Sequence, residues 1–149
     1  PSVSPHLAAI KEGKKISIDK IHNDYKRLSE SFEYLVVEGA GGITCPLILD
    51  DNTPFLLSDL IKFLDLDILL VADAGLGTIN YTLLTVEYAR LKGLNVKGII
   101  LNNFDERNYM HQDNLIQVER LTRVNVVAKV PKDADDIVIN NEVLKGLFT

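Results

Sequence analysis

At 149 residues, with 46% hydrophobic content and a formal net charge of −5, the chain has the size of one domain, expected to span residues 1–149 and to bury a full core. Acidic and basic residues are interspersed without a basic stripe, which removes the electrostatic basis for nucleic-acid binding, and no segment reads as a membrane-surface helix. The single cysteine, Cys45, excludes an internal disulfide and a multi-cysteine metal site, and no stretch reaches the roughly 18 apolar residues of a membrane span, so a cytoplasmic protein is expected.

Residues 1–15 hold two prolines and a lysine-rich run and read as loop, with a short turn at residues 7–10. Gly13-Lys14 looks like the end of a phosphate loop, but Lys15 replaces the required Ser or Thr and Ala8 stands where the first glycine belongs. Ile18, Ile21, Tyr25, Leu28 and Phe32 recur at steps of three and four, predicting a helix over residues 19–32. Tyr34, Leu35, Val36 and Val37 are apolar without alternation, the mark of a parallel strand covered on both faces. Residues 47–54 read as a loop and 56–64 as a short leucine-rich helix.

The next apolar run, 68–72, leads through Asp73, Ala74, Gly75, Leu76 and Gly77 into a helix starting near Thr78. Ile79, Leu83, Val86 and Leu91 mark its buried side, and Lys92-Gly93 its end. A third strand over 96–101 closes on Asn102-Asn103; a helix over 108–123 and a fourth strand over 125–130, stopped by Pro131, follow. The tail ends in a short helix around 142–147. Strands alternating with helices at this spacing predict right-handed βαβ units, hence an α/β fold whose parallel sheet is flanked by helices on both faces.

Each candidate polar group follows a predicted strand, and parallel strands place their carboxyl ends along one edge, where ligands bind in open α/β sheets. Glu38 ends the first run, and Gly39, Gly41 and Gly42 permit close approach of backbone to a phosphate; a carboxylate there suits Mg²⁺, or is a solvated residue before a turn. Gly75 to Gly77 open a helix whose N–H groups and dipole suit a carboxylate or phosphate, although Asn80 replaces the third small residue of a dinucleotide fingerprint. Asn102 and Asn103 can donate and accept, as reading an adenine edge requires, or can simply turn the chain. Asp73 is a second metal ligand or a salt-bridged strand end. His6, His22 and His111 show no metal-ligand spacing, and the last two read as surface residues on helices.

Taken together, Ser4-Pro5-His6-Leu7-Ala8-Ala9, Val37-Glu38-Gly39-Ala40-Gly41-Gly42 with Pro46-Leu47, and Leu76-Gly77-Thr78-Ile79-Asn80 with Leu83-Leu84-Thr85 resemble the dethiobiotin synthetase family. Gly93-Leu94, Gly98 and Asn102 continue the family spacing over nearly the whole chain. The resemblance implies a P-loop NTPase-like fold and a cytoplasmic homodimer that uses ATP and Mg²⁺ to close the ring of dethiobiotin from 7,8-diaminopelargonate and carbon dioxide. It implies that Glu38 is a magnesium ligand and that Glu38, Gly39, Ala40 and Gly41 lie beside the nucleotide phosphates. Asn102 and Asn103 match the pair that recognises adenine, and Pro131, Lys132 and Asp133 the segment closing over the base. Leu76, Gly77, Thr78, Ile79 and Asn80 match the helix start that receives the substrate carboxylate across a two-fold interface. Tyr81 stands where many members have His, and Lys132 and Asp133 replace residues that are often apolar. The family's amino-terminal strands, phosphate loop and catalytic residues have no counterpart here. The chain is therefore expected to be the carboxyl-terminal portion of a longer enzyme, either needing that segment for activity or serving as a catalytically silent dimerisation module. Another P-loop ATPase or synthetase is the rival reading.

Overall fold

The computed structural model describes residues 2–49 and 53–148. The chain divides into two compact units, residues 1–66 and 67–149. In the first, Pro5 opens α1 (Pro5–Lys11), where its missing N–H costs nothing, and Gly13, at φ +62°, follows its end. Residues expected to be mostly loop are thus helical: the proline that argued for a loop is the residue that starts the helix.

Helix α2 (Ile18–Ser29) is capped by Ser17, whose hydroxyl accepts from the Lys20 N–H at 3.2 Å. It stops before Phe32, whose N–H still bonds the Leu28 carbonyl in the turn beyond. Strands β1 (Pro46–Ile48) and β2 (Phe55–Leu56) pair antiparallel, Pro46 opposite Leu56, and α3 (Leu57–Phe63) follows directly. The predicted loop at 47–54 is therefore partly strand; its Asp50, Asp51 and Asn52 lie outside the described residues. Leu47, Leu57, Leu60 and Leu64 form the core of this unit, with Ile21, Tyr25 and Phe55 packed against them.

The strand expected at 34–37 does not form. Among the described residues no strand forms a ladder with it, and Tyr34, Val36 and Val37 are exposed, Val36 at 81%. An apolar run specifies burial only where neighbours supply it, and a strand has no hydrogen bonds of its own to fall back on.

The second unit is a parallel sheet in the order β3-β4-β5: β3 (Ile68–Asp73), β4 (Val96–Asn102) and β5 (Val126–Val130). Helix α4 (Thr78–Leu91) connects β3 to β4, and α5 (Tyr109–Thr122) connects β4 to β5. The two helices pack on each other, and a core of Ala72, Val86, Ile99, Leu101, Phe104 and Val118 lies between them and the sheet. On the opposite face, Leu69 and Val71 of β3 stay exposed and Gly98 lies against Leu69 and Val127. The fold class is the expected α/β one, with a parallel sheet flanked by helices. Helix α6 (Asn141–Gly146) is capped by Asn140, which accepts from the Glu142 N–H at 2.9 Å.

Candidate functional site

Parallel register aligns the carboxyl ends of the three strands: Asp73 lies opposite Asn102, and Asn102 opposite Val130. The ladder runs one step further, because the Ala74 N–H donates to the Asn102 carbonyl at 2.8 Å and the Phe104 N–H to the Val130 carbonyl at 2.9 Å. The three turns that leave the sheet here are therefore held side by side: of the four groups expected to converge on one edge, Asp73 with Gly75 to Asn80, Asn102-Asn103 and Pro131 to Asp133 do so within this unit, whereas Glu38 follows no strand and belongs to the first unit.

Asp73 is the hub of the edge. Its Oδ1 accepts from the Gly75 N–H at 2.7 Å and its Oδ2 from the Asn103 side-chain amide at 2.6 Å. These two donors, Asn103 foremost, hold its carboxyl below the usual carboxylate range, with a smaller electrostatic contribution from His111. Tyr81 adds a third tie, its hydroxyl donating to the Asp73 carbonyl at 3.1 Å. Asn103 sits at φ +56° and Asp133 at φ +59°, left-handed conformations that Asn and Asp tolerate better than other side-chain-bearing residues. The Asn102 side chain, half-buried, has no hydrogen-bond partner among the described residues. The paired asparagines thus differ, Asn103 being tied to Asp73 and Asn102 not.

At the start of α4, Gly77 caps the helix at φ +92°. The Asn80 and Tyr81 N–H groups bond back to the Gly77 carbonyl, while those of Leu76, Gly77 and Ile79 find no acceptor among the described residues. The Leu76 side chain is 90% exposed. Thr78 and Thr82 are buried beneath, their hydroxyls 3.3 Å apart.

Asn114 of α5 fixes this turn from below. It is buried, and its amide donates both to the Ala74 carbonyl at 2.8 Å and to the Gly75 carbonyl at 3.1 Å. Sequence reasoning missed it. The signal was its place four residues before Val118 and eight before Thr122, all three buried on one helix face, where an amide needs a partner. His111 was expected at the surface, but it is half-buried: its ring lies 5.8 Å from that of Phe104 and its Nδ1 accepts the Asp105 N–H at 3.0 Å. His22, likewise half-buried, packs against Phe63 at 5.2 Å.

Glu38, Gly39, Ala40 and Gly41 belong to the first unit. Glu38 is exposed and follows irregular backbone in place of the expected strand. The turn after it is fastened to α3: the Leu57 N–H donates to the Cys45 carbonyl at 2.9 Å and the Ser58 N–H to the Ile43 carbonyl at 3.0 Å. Gly41 is at φ +88°, a conformation the turn itself demands of a glycine, and a Cβ at Gly39 would stand 2.7 Å from Leu57 Cδ2, so that a larger residue there would have to shift the Leu57 side chain. Ala40 and Gly41 line an open recess of about 340 Å³ with Ser2 to Pro5 and Cys45, which brings the Ser4-Pro5 and glycine-loop motifs together. Among the described residues no group of three His, Cys, Asp or Glu is placed to hold a metal. A cation at Glu38 would thus rest on a single carboxylate and the oxygens of its own ligand and waters, which is the donor set Mg²⁺ accepts.

A family model described as an AAA domain matches residues 1–137. The chain belongs to that family, whose P-loop NTPase-like fold the α/β sheet fits. Its relatives include proteins named ATP-dependent dethiobiotin synthetase BioD. The one from Clostridium novyi is 45% identical over 147 residues, covering 99% of this chain and 61% of the relative. Its counterpart in Clostridium perfringens strain 13 is 46% identical, with 97% and 64% covered, and that of Brachyspira hyodysenteriae 47% identical, with 85% and 58% covered. The family resemblance drawn from the motifs is borne out. The chain spans about three fifths of the length of these relatives.

Proposed function

We propose that the protein carrying this chain is an ATP- and Mg²⁺-dependent cyclo-ligase that converts 7,8-diaminopelargonate and carbon dioxide to dethiobiotin, with release of ADP and phosphate. The observation that carries this reading is 45% identity across 99% of the chain to a protein named ATP-dependent dethiobiotin synthetase. In that reaction one amine adds to carbon dioxide, losing a proton, and the carbamate oxygen attacks the γ-phosphorus as ADP leaves. The second amine then attacks the carbamoyl carbon, closing the ring and expelling phosphate.

The chain's residues are assigned to holding the reactants. Asn102 and Asn103 hold the base, with Pro131, Lys132 and Asp133 beside them on the same sheet edge. The start of α4, residues Leu76, Gly77, Thr78, Ile79 and Asn80, receives the substrate carboxylate. There the N–H groups of Leu76, Gly77 and Ile79 and the positive end of the helix favour an anion. In the first unit, Gly39, Ala40 and Gly41 lie against the phosphates and Glu38 holds Mg²⁺, which when bound offsets charge developing on the transferred phosphoryl group. Asp73 is assigned to holding the turns of the edge together, its oxygens accepting from the Gly75 N–H and the Asn103 amide. Catalytic groups are assigned to the part of the relatives' length beyond this chain, because its 149 residues hold no phosphate-loop motif. No helix among the described residues is long and apolar enough to cross a membrane, and we place the enzyme in the cytoplasm.

The test is a dethiobiotin assay by mass spectrometry, on the polypeptide completed to the relatives' length, with diaminopelargonate, bicarbonate and MgATP. Product and phosphate should appear together and only with diaminopelargonate present. Phosphate release without that dependence would assign the protein to another class of P-loop ATPase. Glu38→Ala should lower Mg²⁺-dependent turnover by at least about tenfold, a loss that even indirect changes at metal sites produce.

A further inference from the structure

We propose that Asn114 is a positioning residue for the substrate carboxylate: by holding two successive carbonyls it sets the plane of the peptide between Gly75 and Leu76, and so turns the Leu76 N–H outward, toward the anion. The inference rests on the substrate assignment above and adds to it the residue that aims the receiving group.

A trans peptide carries its carbonyl and its N–H on opposite sides of one plane, so fixing either end fixes the direction of the other. Three successive peptides lead from β3 toward α4. In the first, the Asp73 carbonyl accepts from the Tyr81 hydroxyl at 3.1 Å and the Ala74 N–H donates to the Asn102 carbonyl at 2.8 Å. In the second, the Ala74 carbonyl accepts from the Asn114 amide at 2.8 Å and the Gly75 N–H donates to Asp73 Oδ1 at 2.7 Å. Both are held at both ends. The third is held at its carbonyl alone: the Gly75 carbonyl accepts from Asn114 at 3.1 Å and from the Thr78 N–H at 3.3 Å, while the Leu76 N–H has no acceptor among the described residues. Asn114 is buried, so the carbonyl it holds faces the interior and the Leu76 N–H faces away from it, on the side where the Leu76 side chain is exposed. An amide suits this task because one nitrogen carries two N–H donors, one for each carbonyl. Without it the Gly75 carbonyl keeps only the longer contact to Thr78 and turns toward solvent in search of a donor, which brings an oxygen round to the place of the carboxylate.

The test uses the polypeptide completed to the relatives' length and two variants of it. Asn114→Leu is near-isosteric and removes both donors; Val118→Ala opens the core on the same buried face of α5 but leaves the Asn114 amide in place. In Asn114→Leu the KM for diaminopelargonate should rise about tenfold or more, as the loss of a hydrogen bond to a charged group requires, with kcat within about twofold. The KM for the analogue that carries a methyl group in place of the carboxyl should not move, and Val118→Ala should change neither. A rise shared by both substrates, a rise matched by Val118→Ala, or an unchanged KM would each overturn the positioning role. The native protein supplies a check that does not depend on how well a variant folds: its Leu76 amide proton should exchange freely with solvent and move downfield on titration with diaminopelargonate. A Leu76 amide already protected before substrate is added would overturn the proposal. If the native enzyme used the methyl analogue as readily as diaminopelargonate, the assignment of the carboxylate to the start of α4 would fail, and this inference with it.

Discussion

Asp73 and Asn114 organise the edge of the sheet through hydrogen bonds that cross from one loop to the next, and both make predictions at the level of single side chains. Because the folded carboxyl of Asp73 titrates below its unfolded value, its contribution to stability is complete above the ordinary carboxylate pKa of about 3.9 and is lost as pH falls through the folded pKa. A carboxyl-carbon NMR titration should place its midpoint below that ordinary value, and Asn103→Ala should raise it. A midpoint unmoved by Asn103→Ala would mean that the 2.6 Å hydrogen bond is not what lowers it. Asn114→Ala leaves the Ala74 and Gly75 carbonyls without their buried donor and should cost about 1–3 kcal/mol in urea unfolding. Neither role was legible in the sequence. Asp73 reads there as one more acid at a strand end, and what distinguishes it is Asn103, thirty residues away in the chain. The candidate residues themselves were legible, since every one on this edge follows an apolar run, and parallel pairing converts that linear pattern into a line of neighbours.

At the scale of elements, the strands and helices from Ile68 to Val130 follow their predicted bounds to within a residue or so at each end. The buried face of α4, however, is Thr78, Thr82, Val86 and Ala89, and Leu91, expected on it, is 84% exposed because it falls two residues past Ala89 at the helix end. Strands β3 and β4 run one residue past the predicted limits, to Asp73 and Asn102, because the ladder continues where the apolar run stops. The period succeeds here because each strand finds its partner within this unit. Residues 34–37 carry an equally apolar run and form no strand, since that pattern records what a segment needs and not what surrounds it. Helix α1 shows the opposite failure, a helix hidden by a proline that serves as its first residue. The close fit of the sheet can be tested at Gly98, where a Cβ would lie 2.8 Å from Val127 and 3.3 Å from Leu69. Gly98→Val should destabilise the protein by about 1–3 kcal/mol through overpacking, measured as a lowered unfolding midpoint. A neutral result would mean that the opposite face of the sheet yields easily.

At the scale of the whole molecule, the homodimer that the family resemblance implies is proposed to use the exposed face of α4, where Leu84 at 60% exposure and Leu91 at 84% stand one heptad apart, with Leu76 beyond the helix start. Sedimentation equilibrium should give a dimer that Leu84→Glu weakens; a monomer in the native protein would remove the two-fold arrangement from the account. That the carboxyl edge of the three-stranded sheet holds the nucleotide is tested most directly by amide chemical-shift mapping of the labelled polypeptide, completed to the relatives' length, during titration with ATP. The account predicts shifts concentrated at Asp73, Asn102, Asn103, Lys132 and Asp133. Shifts confined to other surfaces, or none at saturating ATP, would contradict it.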